Sequence, residues 1–249
     1  MTRHLIRVTL LLALGAMPAS AQFSALPGVV HLRAEDAADI AVVQVRNEGA
    51  RPLQLRLYLS DYDQAEDGAY LFHEPGTARG TCQGRISFFP DNALLEPGQR
   101  QEIQVRIEPG AGACWSLLFI ESAPEGTGQV RVANRIGVRV LNAPASLPRD
   151  GGLAEVRASQ SDSVRVEMLF RNTGPAPVEL HGTLEIRDLA GTAVVSAQVG
   201  PLGVLPAHSR RFTTTLPALP PGDYLAVPVL DFGAEWLAAG QALLTVRRR

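Results

Sequence analysis

Apolar and polar residues alternate most regularly in residues 129–141, QVRVANRIGVRVL. Apolar side chains fall on one face of an extended chain, at Val130, Val132, Ile136 and Val138, and arginines fall on the other. This period of two, with β-branched residues on the apolar face, is typical of a half-buried strand. A Pro- and Gly-rich connection follows and cannot comfortably continue a strand or begin a helix. The pattern therefore predicts a long strand that closes one domain and leads into another.

Shorter alternating segments recur through the rest of the chain. Residues 40–46 (IAVVQVR), 53–59 (LQLRLYL) and 101–107 (QEIQVRI) are clear examples, with Asn, Gly and Pro turn signals between them. No segment has a convincing helical periodicity. Such a dense series of short strands predicts an all-β fold built from immunoglobulin-like β-sandwiches.

The two halves of the chain repeat one order of strands and turns. Asn47, Gly49 and Pro52 separate two alternating strands in the first half, and Asn172, Gly174 and Pro177 recur at the same spacing in the second. Two copies predict two tandem sandwiches and not a solenoid, which needs at least three. The predicted divisions are a signal peptide (1–21), a first domain (22–142), a linker (143–152) and a second domain (153–249).

The N-terminal segment predicts export. A basic start at Arg3 and Arg7 precedes a short apolar run, and an Ala-x-Ala sequence ends at Ala21. These are the parts of a secretory signal peptide, with cleavage expected after Ala21. The apolar run is too short to span a bilayer, and no later stretch is long enough. We therefore expect a soluble periplasmic protein that does not span the membrane.

Composition and charge narrow the classes of partner. Apolar residues make up 46% of the 249 residues and charged residues 19%, so a packed core is available. The formal net charge of −2 gives no reason to expect a nucleic-acid partner. The basic residues are all arginine, which binds carboxylates through two parallel hydrogen bonds.

The two cysteines, Cys82 and Cys114, lie in the first half of the chain. An exported protein meets an oxidising compartment, so a structural disulfide is the expected state. A redox-active pair is the alternative, although the sequence has no Cys-x-x-Cys motif.

An acidic segment, residues 61–68 (DYDQAEDG), suggests a calcium loop because hard cations bind several carboxylate oxygens. Its spacing departs from that of a helix-flanked calcium loop, and a solvated hairpin loop is the alternative. Neither a nucleophile motif nor a His-Glu-x-x-His metal motif occurs. We expect no enzyme activity, cofactor or metal.

Three motifs point to a known family. They are Phe89-Pro90 with the turn Leu95-x-Pro97-Gly98-Gln99, the aromatic-apolar strand at 115–124 (WSLLFIESAP), and Arg135 within the last strand of the first domain. Together they resemble the first domain of the periplasmic pilus (fimbrial) chaperones, the PapD-like family. The resemblance covers most of residues 24–142, whereas the second half is similar only as a generic immunoglobulin-like domain.

The resemblance implies binding by strand addition, in which the last strand of domain one completes the sheet of a pilus subunit. Val130, Val132, Ile136 and Val138 would then contact the subunit. In this family, two basic residues in the cleft between the domains hold the subunit's C-terminal carboxylate. Arg135 matches the one on the last strand. His31 takes the place of the other on the first strand, and Arg33 lies nearby.

Alternation alone leaves a second hypothesis open. The same alternation is equally expected if the apolar side chains pack into the domain's own core. Arg135 would then be a solvent-exposed charge on the strand. The protein would then be a structural or adhesive module of the envelope. An exposed edge strand would also allow self-association. The leading hypothesis is a periplasmic chaperone-like protein that binds a secreted or pilus subunit.

Overall fold

A computed structural model describes residues 22–124 and 131–247. Within these ranges the regular structure is entirely β, and the strands form two consecutive sandwiches, each with its own apolar core. The predicted fold class is therefore confirmed. None of the described segments forms a long apolar helix of the kind that crosses a membrane.

The first sandwich has two sheets. Its strands are β1 (Phe23–Leu26), β2 (Val29–Leu32), β3 (Asp39–Asn47), β4 (Leu53–Gln64), β5 (Tyr70–His73), β6 (Ile86–Phe89), β7 (Asn92–Leu95), β8 (Arg100–Ile107), β9 (Cys114–Ser122) and β10 (Arg135–Asn142). One sheet has the order β1-β3-β8-β6. The other has the order β2-β10-β9-β4-β5, with β7 also paired to β4. Alternate side chains of β3, β4 and β8 are buried between the sheets, as their period of two predicts.

A buried asparagine organises the turn after β3. The Asn47 side chain is fully buried, and its Nδ2 donates to the carbonyl oxygens of Arg51 at 2.8 Å and Leu95 at 2.9 Å. Its Oδ1 accepts from the Gly49 amide at 2.9 Å. An amide side chain suits this position because it satisfies both carbonyls and an N–H that would otherwise be buried without partners.

Cys82 and Cys114 form a disulfide, which confirms the structural pairing expected from the compartment. It joins the loop before β6 to the first residue of β9, with the two Cα atoms 5.1 Å apart. Both half-cystines are buried. The bond thus ties a long connection to the central strand of its sheet.

The second sandwich repeats the plan. Its strands are β11 (Gly151–Gln160), β12 (Val164–Asn172), β13 (Val178–Asp188), β14 (Ala193–Val204), β15 (Ser209–Leu216), β16 (Gly222–Asp231), β17 (Ala238–Ala239) and β18 (Ala242–Val246). The sheets have the orders β11-β12-β15 and β14-β13-β16-β17, with β18 also paired to β16. Strand β11 begins at Gly151, within the segment assigned to the linker.

Asn172 takes the place of Asn47 in the second sandwich. Its Nδ2 donates to the carbonyl oxygens of Ala176 and Val204, and its Oδ1 accepts from the Gly174 amide. The sequence repeat thus corresponds to one turn architecture used twice.

The β4–β5 hairpin of the first sandwich contacts the second. The Glu66 carbonyl oxygen accepts from the Arg211 amide at 2.6 Å, and the two side chains form an ion pair at 2.7 Å. Gln64 Nε2 donates to the carbonyl oxygen of Gly203 at 3.0 Å. Leu205 of the second sandwich is buried against Tyr62 and other apolar side chains of the first. The hairpin therefore ties the sandwiches together.

The acidic segment forms part of this hairpin. Asp61 is buried, and its Oδ2 accepts from the backbone amides of Gly76, Thr77 and Ala78 at 2.7–3.3 Å. Its Oδ1 accepts from the Thr81 hydroxyl at 2.9 Å. The carboxylates of Asp61 and Glu66 are thus bound to groups of the protein itself.

Candidate strand-addition edge and interdomain cleft

Strand β10 is paired unequally on its two sides. Strand β9 pairs antiparallel with all of it, from Arg135 opposite Glu121 to Asn142 opposite Cys114. Strand β2 pairs parallel with only its second half, from Arg139 onward. Among the described residues, no strand pairs with the outer side of residues 135–138. The first half of β10 is therefore an edge that a further strand could join.

The hydrogen bonds around β10 show which backbone groups face this edge. The Ser122 amide of β9 donates to the Asn134 carbonyl oxygen, whereas the Arg139 amide points the other way and donates to Gly28. Alternate residues of a strand direct their N–H and C=O groups to opposite sides. The backbone groups of Arg135 and Gly137 therefore face the open edge.

The residues predicted to contact a subunit occupy different environments. Val138 is fully buried in the core of its own sandwich, and the half-buried Ile136 packs against the same core. Val132 is 58% exposed. Val130 lies outside the described residues. The structure thus gives Val132 an available side chain, and a role for any of the four in subunit binding stays a prediction.

Arg135 is exposed at the start of β10 and lies on an aromatic surface. Its guanidinium carbon is 4.2 Å from the ring centroid of Phe119 and 5.9 Å from that of Phe72. Its Nη1 donates to the Tyr58 hydroxyl at 3.2 Å. Arg135 is not among the residues that line the interdomain cleft.

Glu121 completes this surface on β9. It accepts from the Tyr58 hydroxyl at 2.7 Å and from Arg56 Nη2 at 2.8 Å. These hydrogen bonds, that of Tyr58 foremost, and the charges of Arg56 and Arg135 lower the pKa of the Glu121 carboxyl below its ordinary value. Glu121 is therefore ionised at neutral pH.

A cleft of about 410 Å³ lies between the sandwiches. Its basic residues are His31, Arg33 and Arg139 from the first sandwich, Arg149 from the connection, and His181 from the second sandwich. Leu141 and Phe232 are among its apolar residues, and Glu179 and Asp231 are its acidic ones. Basic groups that converge beside apolar surface suit a ligand with one carboxylate and an apolar body.

Strand pairing brings three of these basic residues together. His31 lies opposite Leu141 in the β2–β10 pair, two residues from Arg139 along β10. His31 and Arg33 flank the buried Leu32, so they lie on one face. Arg139 is half-buried, and its guanidinium lies against Gly203, where a β-carbon would come within 3.0 Å of Nη1.

Sequence reasoning did not single out Arg139. The available signal was its spacing of four residues from Arg135, which puts both arginines on one face of an extended strand.

No protein-family model matches the sequence, and no curated protein matches it. Among solved structures, the chain is similar to the class 5 fimbriae chaperone CfaA, with 11% identity and a TM-score of 0.51 over 91% of this chain and 100% of that one. It is similar to a chain from a chaperone–tip adhesin complex of CFA/I fimbriae, with 10% identity and a TM-score of 0.51 over 90% and 99%. At such identities the likeness concerns the fold. The resemblance to PapD-like chaperones is confirmed at that level, since the chain has the two-sandwich fold of the fimbrial chaperones.

Proposed function

We propose that this protein is a non-enzymatic periplasmic chaperone that binds a secreted or pilus-type subunit by strand addition. The observation that carries the proposal is the half-open strand β10: among the described residues no strand pairs with the outer side of residues 135–138, and this edge adjoins a basic cleft. The solved structures of similar fold are named as fimbrial chaperones, which supports the same function.

The edge supplies the main-chain part of the binding. The N–H and C=O groups of Arg135 and Gly137 would pair with a strand of the subunit, which gives affinity without reading its sequence. Val132, already exposed, would fill a groove in the subunit, and a role for Val130 rests on the alternation of the sequence alone. The Ile136 side chain is committed in part to the chaperone's own core.

The cleft would hold the subunit's C-terminal carboxylate. Arg139 is the arginine of β10 that lines it, so we assign the anchor to Arg139 in place of Arg135, with His31 and Arg33 beside it. A hydrogen bond to a charged group contributes about 1.5–3 kcal/mol, and partial burial of Arg139 favours the upper part of this range.

A structural or adhesive envelope module is the second candidate. The complete burial of Val138 and Val140 favours it, because those side chains are unavailable to a partner. In that case the edge would be protected by charge and not used.

Backbone hydrogen exchange of the mature protein, alone and co-purified with a co-expressed subunit, separates the candidates. We expect the amides of Arg135 and Gly137 to exchange quickly in the free protein and slowly in the complex. The amides of Ile136 and Val138 face β9 and serve as internal controls, since they should be protected in both states. Equal exchange at Arg135 and Gly137 in both states would favour the envelope module.

Arg139→Gln tests the anchor separately. We expect roughly tenfold or greater weakening of subunit binding, measured by titration with a peptide of the subunit's C-terminal strand. Arg165→Gln is the matched control, because Arg165 is exposed on β12, in the sheet of the second sandwich that does not line the cleft. Equal affinities for all three proteins would remove the carboxylate anchor from the proposal.

A further inference from the structure

Arg135 lies beside the open edge of β10 without lining the cleft. We infer that Arg135 recognises an acidic side chain on the strand that joins this edge, and so selects among subunits and sets their register. This inference rests on the proposed strand addition. It gives Arg135 a role different from that of the carboxylate anchor.

The guanidinium is held in place before any partner arrives. One face stacks on Phe119, which is only 5% exposed and therefore rigidly packed. The Tyr58 hydroxyl accepts from Nη1, and that hydroxyl is itself fixed by its bond to Glu121. A long side chain that is already ordered loses little conformational entropy when it binds, so its hydrogen bonds contribute more to affinity.

The charge of Arg135 is available to a partner. Among the described residues Glu121 is the acid of this surface, and its close ion pair is with Arg56 at 2.8 Å. Among the described residues no carboxylate forms an ion pair with Arg135 within 4 Å. Two cations and one anion leave the surface with one net positive charge, which complements an acidic side chain.

The position of Arg135 suits a residue on an added strand. Its own backbone groups face the open edge, so a strand paired there would place a side chain on the same face about 5 Å away between Cβ atoms. The next residue on that face is Gly137, which has no side chain to obstruct the incoming one. The guanidinium lies over Phe119, which is opposite Gly137 in the β9–β10 pair, so a Glu on the added strand beside Gly137 would approach it across that glycine.

Synthetic strand peptides test this inference on the mature protein. The probes are fluorescein-labelled 11-residue peptides of alternating Val and Thr with an amidated C-terminus, so that no terminal carboxylate competes for the cleft. In one series a single Glu is moved through the Thr positions, and in a second series Gln replaces it. We expect one Glu peptide to bind roughly tenfold more tightly than its Gln partner, by fluorescence anisotropy.

Arg135→Gln should abolish this preference while the Gln peptides bind as before. Arg131→Gln is the control, because Arg131 is exposed and has the same charge but no aromatic stack. It should keep the preference. Equal loss in both variants, or no preference in the unaltered protein, would overturn selection by Arg135 and leave strand addition intact. Failure of every peptide to bind would reject both.

Discussion

The last strands of the two sandwiches differ although the domains share one plan. In the first sandwich, β10 is a continuous strand of eight residues. In the second, the corresponding edge of the sheet is divided into β17, of two residues, and β18, of five, with Gly240 bonded to Pro228 between them. Short, broken edge strands are a common protection against pairing with another chain. The comparison shows that two copies of one plan differ in the continuity of their last strand.

The turns of the two sandwiches, by contrast, agree atom by atom. The Gly98 amide donates to the Asn47 carbonyl oxygen at 3.0 Å, and the Ala207 amide donates to that of Asn172 at 3.1 Å. Both residues have a left-handed backbone, with φ of 76° at Gly98 and 62° at Ala207. The two sandwiches therefore share one hydrogen-bonded turn around a buried asparagine. They differ in their last strands and in the disulfide, which is in the first sandwich.

The disulfide offers the largest expected difference. The double substitution Cys82→Ala with Cys114→Ala should lower the free energy of unfolding of the first sandwich by about 3–4 kcal/mol, because the open loop regains conformational entropy in the unfolded chain. The second sandwich should be unaffected. Chemical denaturation monitored by hydrogen exchange resolves the two, and an equal loss in both domains would mean that they unfold as one cooperative unit.

Substitution of the two equivalent asparagines should lower the free energy of unfolding of each sandwich by a similar amount. Asn47→Ala and Asn172→Ala each leave two buried carbonyl oxygens without their side-chain donor, so each should destabilise its own sandwich by about 2 kcal/mol. The Gly49 amide also loses its acceptor in the first variant, whereas the Gly174 amide keeps the Asp150 carbonyl oxygen in the second. Urea unfolding of each variant measures this loss. A large effect in one copy and none in the other would show that the two turns are not equivalent.

Substitutions at the two left-handed positions, Gly98 and Ala207, should change the free energy of unfolding least and in opposite directions. Gly98→Ala should cost about 1 kcal/mol, all of it from backbone conformation, since an added β-carbon would meet no atom within 4 Å. Ala207→Gly should stabilise by about 0.5 kcal/mol, because relief of the backbone strain at the positive φ outweighs the opposing gain of freedom in the unfolded chain. Melting temperatures of both variants check this prediction, which a shift in the same direction would contradict.

The sequence predicted whatever depends on local pattern. Alternation in residues 53–59 identified β4, and the repeated Asn-x-Gly turns indicated two copies of one domain. The cysteine pair followed from the compartment. These features depend on neighbouring residues or on chemistry that needs no coordinates.

Long-range geometry was beyond the sequence. Alternation places Arg135 and Arg139 on one face, but only the position of the second sandwich makes Arg139 the cleft residue. The sequence suggested Asp61 as a cation ligand. Its Oδ2 instead accepts from the three backbone amides of residues 76–78, and the local pattern around Asp61 does not predict that this loop lies beside it. Alternation likewise could not separate the buried Val138 from the exposed Val132.

Gly203 links the hairpin contact to the cleft. It lines the cleft, its carbonyl oxygen accepts from Gln64 of the first sandwich, and the Arg139 guanidinium lies against its Cα. The contact that joins the domains therefore also positions one wall of the cleft. A chain terminus that enters would meet a preorganised cleft. None of its binding free energy would then be lost in bringing the two domains together. The contact between the β4–β5 hairpin and the second sandwich thus helps to set the width of the cleft, although most of the hairpin lies outside it.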